Sequence, residues 1–248
     1  MQQSLGPTRA TSPLGHKLAG ASRRATAGSC RALATETVDA LAAAPPGLFL
    51  DEEELLMTKI SAEQRDALIA QAKLVLLKNF GASQPELLAE SFKFVAPVVG
   101  PLSKEEFTTA FSSFDLMEAL PDLKNQYHAF RVDPWDTSRV WFVARAQGTH
   151  TGYFAKSIPP SGKKLDSPPQ ACSLSFDSQL KCTQLTVGYV MDKQIGNTGG
   201  LGGVFGVLYA IGAPLPFPEA QPWSMSPQYW MFNQVGGLAQ KLASFGKK

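Results

Sequence analysis

The spacing of apolar residues predicts helices in the first half of the chain. Ser61 followed by Ala62-Glu63-Gln64 resembles a capping box, which would begin a helix. Apolar residues then recur at helical spacing up to Gly81, where the helix is expected to end: Leu68, Ala72, Val75, Leu76 and Phe80. Residues 85–90 predict a short helix and 92–97 a short strand. A further helix is predicted after Ser103, with one apolar stripe: Phe107, Phe111, Phe114, Met117 and Leu120.

From Asn125 the apolar residues alternate instead of following helical spacing. Segments around 125–133, 138–149, 168–177 and 180–191 predict four strands with turns between them. A last core helix is predicted at residues 198–211, although its glycines weaken it, and a short terminal helix at 238–245. Helices first and antiparallel strands afterwards indicate an α+β fold.

The composition divides the chain into four parts. Hydrophobic residues make up 44% and charged residues 18%, which is typical of a globular protein. The periodic elements occupy residues 61–213, which form the predicted domain. A presequence at 1–35 and a linker with a short helix at 36–60 precede it, and an extension rich in proline and aromatic residues follows at 214–248. In the linker, Asp51-Glu52-Glu53-Glu54 indicates a helix N-terminus or a solvated face.

The first 35 residues have the composition of an organelle transit peptide. They contain five basic residues and no acidic one, many Ser, Thr and Ala, and no apolar run long enough for secretion. The composition favours the chloroplast or another plastid, with a mitochondrion as the second choice and a plain disordered tail as the alternative. These cations exceed the net charge of +2, so the rest of the chain is net acidic and nucleic acid is not an expected partner.

The spacing of the cysteines argues against a metal site, and the composition of the one long uncharged segment argues against a membrane span. Cys30 lies in the presequence, and Cys172 and Cys182 fall in consecutive predicted strands, where they could face each other across a hairpin. Their spacing is not that of zinc ligands, and small buried apolar residues are the favoured interpretation. Residues 194–218 carry no charge, but their glycines and prolines argue against a transmembrane helix.

One motif carries a family resemblance. The run Gly148-Thr149-His150-Thr151-Gly152-Tyr153-Phe154 is followed by Ile158-Pro159-Pro160-Ser161-Gly162-Lys163. This pattern resembles the GTHxGxFxGxPPTGK signature of SnoaL-like proteins, the polyketide-cyclase branch of the NTF2-like superfamily, over about residues 68–212. The resemblance implies an NTF2-like cone, in which helices pack on the concave side of a curved antiparallel sheet. Such proteins are often dimers, which the sequence leaves open here.

The resemblance also implies an active site that needs no metal or organic cofactor. By position, His150 and Asp192 match the histidine and the acid/base aspartate that share the family's apolar pocket. Burial raises the pKa of an aspartate and makes it a better base, while a neutral imidazole can polarise a carbonyl. A hydrogen-bonded structural histidine and a turn-capping aspartate are the alternatives. The family's E-x-W-x-x-x-D run is replaced by Leu185–Asp192, with Tyr189 near the tryptophan position.

The walls of this pocket are predicted to be mainly aromatic. His128 is a weaker candidate, because alternation places it on the same strand face as Phe130 and Val132. The predicted substrate-binding residues are Phe107, Phe111, Phe114, Trp141, His128 and Tyr189.

Three other polar or glycine-rich segments have simpler interpretations. Asp133-Pro134-Trp135-Asp136 indicates a solvated turn, and Asp122 after Pro121 indicates a structural carboxylate. The glycines of 200–206 lack the context of a dinucleotide-binding loop, and close packing of a helix on a sheet explains them better.

Two functions are therefore predicted. The first is a cofactor-independent acid/base enzyme of the cyclase, isomerase or hydrolase type, acting on a lipophilic polyketide-, terpenoid- or pigment-like molecule. The alternative is a non-catalytic protein that binds such a molecule, or one that docks on a protein partner through the C-terminal extension. A scaffold of this kind hosts both catalysts and binders.

Overall fold

The structure, a computed structural model, describes residues 37, 44–45, 47–113 and 115–235. The chain divides into two units, residues 1–50 and 51–248. The presequence, the linker residues before 44 other than 37, Phe114 and the helix predicted at 238–245 lie outside the described residues.

The second unit contains the following elements: α1 (Glu52–Met57), α2 (Ala62–Leu77), β1 (Leu88–Val95), β2 (Leu102–Ser103), α3 (Lys104–Ser113), α4 (Leu116–Ala119), β3 (His128–Val132), β4 (Arg139–Ala144), β5 (Gln147–Thr149), β6 (Lys164–Asp166), β7 (Gln170–Phe176), β8 (Cys182–Val190) and α5 (Gly203–Ile211). Short 3-10 turns cover Pro85–Leu87 and Pro218–Ala220, and residues 227–235 are helical. Among the described residues, no helix is both long enough and apolar enough to cross a bilayer.

The helices begin where local hydrogen bonding predicts. Ser61 and Gln64 form the predicted capping box, with each side chain bonded to the other residue's backbone N–H. Asp51 caps α1, and the three glutamates after it fill the first turn, as the acidic run predicted. Ser103 and Glu106 exchange the same kind of bonds at the start of α3.

A six-stranded sheet in the order β2-β1-β8-β7-β4-β3 forms the centre of the fold. Only the pairing of β1 with β8 is parallel, and the sheet is curved and open. The prediction of an α+β fold with a curved, mainly antiparallel sheet is therefore confirmed. Helices α2 and α3 pack on one face of this sheet, and their apolar residues share one core with the inward residues of the strands.

A second, smaller core lies beside a two-stranded sheet of β5 and β6. It joins residues of α4, β6 and α5 with Phe154. The glycines before α5 allow the close packing that the sequence predicted, since a Cβ on Gly202 would overlap the backbone of Gly188 in β8.

Several sequence predictions are wrong in detail. Leu88–Glu90 belong to β1 rather than to a helix. The apolar stripe does not continue through Met117, which is exposed, because α3 ends and the chain turns into α4. The strand predicted at 138–149 is split into β4 and β5, which belong to different sheets. Cys182 lies opposite Phe176 in the strand pairing, rather than opposite Cys172. Both cysteines are free and buried, and burial raises the pKa of each thiol to about 12.

Candidate functional site

His150 lies in the loop that follows β5, and its side chain is fully buried. Its Nδ1 is 3.2 Å from the backbone nitrogen of Ser161 and 3.0 Å from the Ser161 hydroxyl. Because the Ser161 N–H must donate, Nδ1 accepts and the ring proton is on Nε2. The imidazole thus joins the two halves of the sequence motif, GTHTG and PPSG.

The neighbouring motif residues hold the same loop against α4. The carboxylate of Asp122 accepts bonds from the Thr149 N–H at 2.6 Å and from the Thr149 hydroxyl at 2.9 Å, and these bonds lower its pKa. Gly152 donates to the carbonyl of Ala119, and a Cβ at Gly152 would overlap the carbonyl oxygen of Glu118. The structural role predicted for Asp122 agrees with this geometry.

The other ring nitrogen of His150 is unusual. Nε2 is buried and has no hydrogen-bond partner among the residues that the structure describes. Burial lowers the pKa of the ring, because the charged form would lose its hydration. His150 is therefore neutral at physiological pH, and its role in this geometry is to organise the loop.

Asp192 is exposed in the turn after β8. One of its carboxylate oxygens accepts from the Gln194 N–H at 2.9 Å, which is the geometry of a turn cap. The residue is exposed and is not enclosed in an apolar cavity as the resemblance implied. A catalytic role for Asp192 and His150 stays a prediction, and the positions of the two side chains favour the structural alternatives.

A cleft of about 670 Å³ opens at the end of α2. Its lining comes from four places: the last turns of α2 and the turn that follows, the start of α4, the segment before β3, and β3 itself. The lining residues are Lys73, Leu76, Leu77, Asn79, Ser83, Asp115, Met117, Asn125, Gln126, Tyr127 and Phe130. Neither His150 nor Asp192 is among them.

Tyr127 and Phe130 form the aromatic base of this cleft. The Tyr127 ring contacts Phe80 and Phe142 edge-on, with ring centroids 6.1 and 5.7 Å apart. Burial raises the pKa of the Tyr127 phenol, which therefore remains protonated. The ammonium of Lys73 lies 5.2 Å from the centroid of the Phe130 ring, so a cation stands beside an apolar surface.

The predicted aromatic wall fills the core instead of lining a pocket. Phe107 is completely buried, and its ring lies 4.2 Å from that of Phe111, centroid to centroid. Trp141 points to the face opposite to that of Val140 and Phe142, and its indole N–H donates to Asp133 in the solvated turn. Tyr189 is 41% exposed on β8, away from the cleft. Phe114, the remaining predicted wall residue, lies outside the described residues.

His128 is exposed, and the reason is a bulge that alternation cannot show. Ala129 adopts a left-handed conformation with φ 55°, and the register between β3 and β4 shifts there. The shift places Tyr127, Phe130 and Val132 against the core and turns His128 outwards. Alternation therefore predicted that His128 lines a pocket, whereas the structure places Tyr127 in the cleft and His128 outside it.

No family model and no curated protein matches the sequence. Similar solved structures include a protein named as a SnoaL-like polyketide cyclase from Jannaschia sp. CCS1, with 16% identity over 63% of this chain and 99% of that chain and a TM-score of 0.45. A phenazine biosynthesis-related protein from Pseudomonas aeruginosa has 15% identity over 73% of this chain and 95% of that one, with a TM-score of 0.38.

An NTF2-like protein from Anabaena variabilis is also similar, with 14% identity over 54% of this chain and 95% of that chain and a TM-score of 0.38. Two of these three neighbours, those from Jannaschia sp. CCS1 and Anabaena variabilis, bear the family names that the sequence motif predicts. At this level of identity the likeness is one of fold.

Proposed function

We propose that this protein binds a small lipophilic molecule in the cleft at the end of α2. The observation that carries the proposal is the cleft itself, about 670 Å³ in volume, with an apolar base and several hydrogen-bonding groups at its rim. Ligand sites for small molecules are of this size and combine an apolar wall with a few placed polar groups.

The chemistry of the lining defines the ligand class. Phe130, Leu76 and the Tyr127 ring offer contact to an apolar skeleton. The amides of Asn79, Asn125 and Gln126 can both donate and accept hydrogen bonds. A lipophilic molecule with a hydroxyl or carbonyl group at one end fits this combination.

The backbone at the rim supports a binding role. Asn79 and Gln126 both adopt left-handed conformations, with φ 51° and 46°. This conformation costs a non-glycine residue free energy, and residues that adopt it are often found at binding and active sites.

Binding accounts for the cleft better than proton transfer does. The Tyr127 phenol stays protonated, so it can donate a hydrogen bond but cannot act as a base near neutral pH. The Asp115 carboxylate is exposed and already accepts the Met117 N–H at the start of α4. The non-catalytic alternative is therefore preferred over the acid/base enzyme, and the basic presequence favours a plastid as its location.

Fluorescence titration with N-phenyl-1-naphthylamine, an uncharged lipophilic probe, tests the proposal. The wild-type protein should bind the probe saturably. Leu77→Trp should weaken binding by about tenfold or more, because an indole at this exposed position would occupy the cleft.

The matched control is Val98→Trp, which adds an indole at an exposed position in the loop between β1 and β2. It should bind the probe like the wild type. Equal affinities in all three proteins, or the lack of saturable binding, would contradict the proposed site.

A further inference from the structure

The cleft at the end of α2 contains a positive charge beside its apolar surface. Lys73 is the only lysine or arginine among the described residues that line it. Lys73, Leu76 and Leu77 stand at positions i, i+3 and i+4 of α2, so their side chains share one face of the helix. This face therefore presents an ammonium and two leucines to the same cleft.

The Lys73 ammonium has no charged partner within the part of the chain that the structure describes. It lies 5.2 Å from the centroid of the Phe130 ring, at the aromatic base of the cleft. A lysine near the end of a helix often bonds the last carbonyls. Here the carbonyls of Leu74 and Val75 already accept backbone N–H groups from beyond the helix. The cation is therefore free to pair with a ligand.

The carboxylate in the lining is already engaged. Asp115 is the N-cap of α4, where it accepts the Met117 N–H at 2.8 Å. No ion pair joins Asp115 to Lys73, the other charged residue of the described lining. The cleft is therefore polarised, with its positive side at α2 and its negative side at the start of α4.

A cation in this position favours an acidic group on an apolar ligand. Two charges that are exposed to water attract each other weakly, and the attraction increases where apolar surface replaces water around the pair. Phe130 and Leu76 supply such surface next to the ammonium. An apolar chain that ends in a carboxylate uses both the leucines and the cation, whereas a small polar anion uses only the cation.

From this geometry we infer that the cleft binds a lipophilic carboxylate. Its acid group pairs with Lys73, and its apolar chain lies along Leu76 and Leu77 of the same helix face. Lys73 is then a specificity-determining residue, which favours an acid over the alcohol of the same chain length. This inference rests on the proposed ligand binding and adds the charge of the ligand to it.

Displacement of bound N-phenyl-1-naphthylamine by decanoate and by decanol tests the inference. The two competitors have the same chain length, and only decanoate is charged at neutral pH. Lys73→Met should raise the ratio of the decanoate to the decanol dissociation constant by about fivefold, because methionine keeps the apolar stem and removes the charge. Lys73→Arg should keep the wild-type ratio, since it keeps the charge. In the wild type, added salt should weaken decanoate binding more than decanol binding.

Lys93→Met is the matched control, because it removes an exposed cation of β1 that does not line the cleft. Its ratio should equal that of the wild type. The inference is overturned if both competitors displace the probe but Lys73→Met leaves the ratio unchanged, or if Lys93→Met raises it equally. In both cases the proposed binding of a lipophilic molecule stands. If the probe does not bind saturably, the proposed function fails and the inference fails with it.

Discussion

At the scale of single residues, the imidazole of His150 is held neutral by its burial. Its pKa in the folded protein is below the ordinary value of 6.5, so the unfolded chain takes up this proton more readily. The free energy of unfolding should therefore fall as the pH drops below about 6.5, by up to about 1.4 kcal/mol per pH unit from this group. Stability should be regained as the pH rises.

Urea unfolding at about pH 7.5 and about pH 5.5 measures this contribution. His150→Asn, whose amide oxygen can still accept from Ser161, should lose less stability on acidification than the wild type. His128→Asn, at the exposed histidine, should show the wild-type dependence. If the His150→Asn and wild-type proteins respond to pH equally, the buried imidazole is not neutral in the folded state as described.

At the scale of elements, Gly152 fixes the loop after β5 against α4. Gly152→Ala should lower the free energy of unfolding by about 1–3 kcal/mol, because its Cβ would overlap the backbone of Glu118. Chemical denaturation provides the measurement. Gly162→Asn is the control in the same loop, since no atom lies within 4 Å of its Cβ position and Asn tolerates its φ of 68°. A similar small effect for both variants would show that the loop has room to move.

The elements also show what the sequence can and cannot predict. The start of α2 was predictable, because the capping box is a local signal that spans only the four residues from Ser61 to Gln64. The alternating strands β4, β7 and β8 were predictable for the same local reason. The bulge at Ala129 was not, since no special residue marks its left-handed backbone. The pairing of β5 with β6 was not predictable either, because it joins residues 15 to 19 positions apart, from Thr149–Lys164 to Gln147–Asp166, through an irregular loop.

The candidate site was harder to predict than the fold. The motif around His150 predicted a catalytic site, but its residues hold the loop after β5 in place and do not line the cleft. The cleft depends on where α2 ends and on the bulge of β3. The residue types that line the cleft predict neither of these two features. Only tertiary packing brings Lys73 next to Phe130 and Asn79 into the same cleft as Asn125.

At the scale of the whole molecule, the second unit has two apolar cores. The larger core fills the face of the sheet where the sequence predicted a pocket. Phe92, Phe94 and Phe142 of the strands share this core with Phe107 of α3 and with the buried residues of α2. The cleft lies at the edge of this core, beside Phe130 and Tyr127. The proposed ligand site therefore lies at the rim of the filled core.

The most direct test is amide chemical-shift mapping of the isotope-labelled protein during titration with N-phenyl-1-naphthylamine. If the cleft binds the probe, the shifts should cluster around Lys73, Asn79 and residues 125–130, where the lining of the cleft lies. Shifts centred on His150 and Asp192, or shifts absent from the cleft at saturating probe, would contradict it.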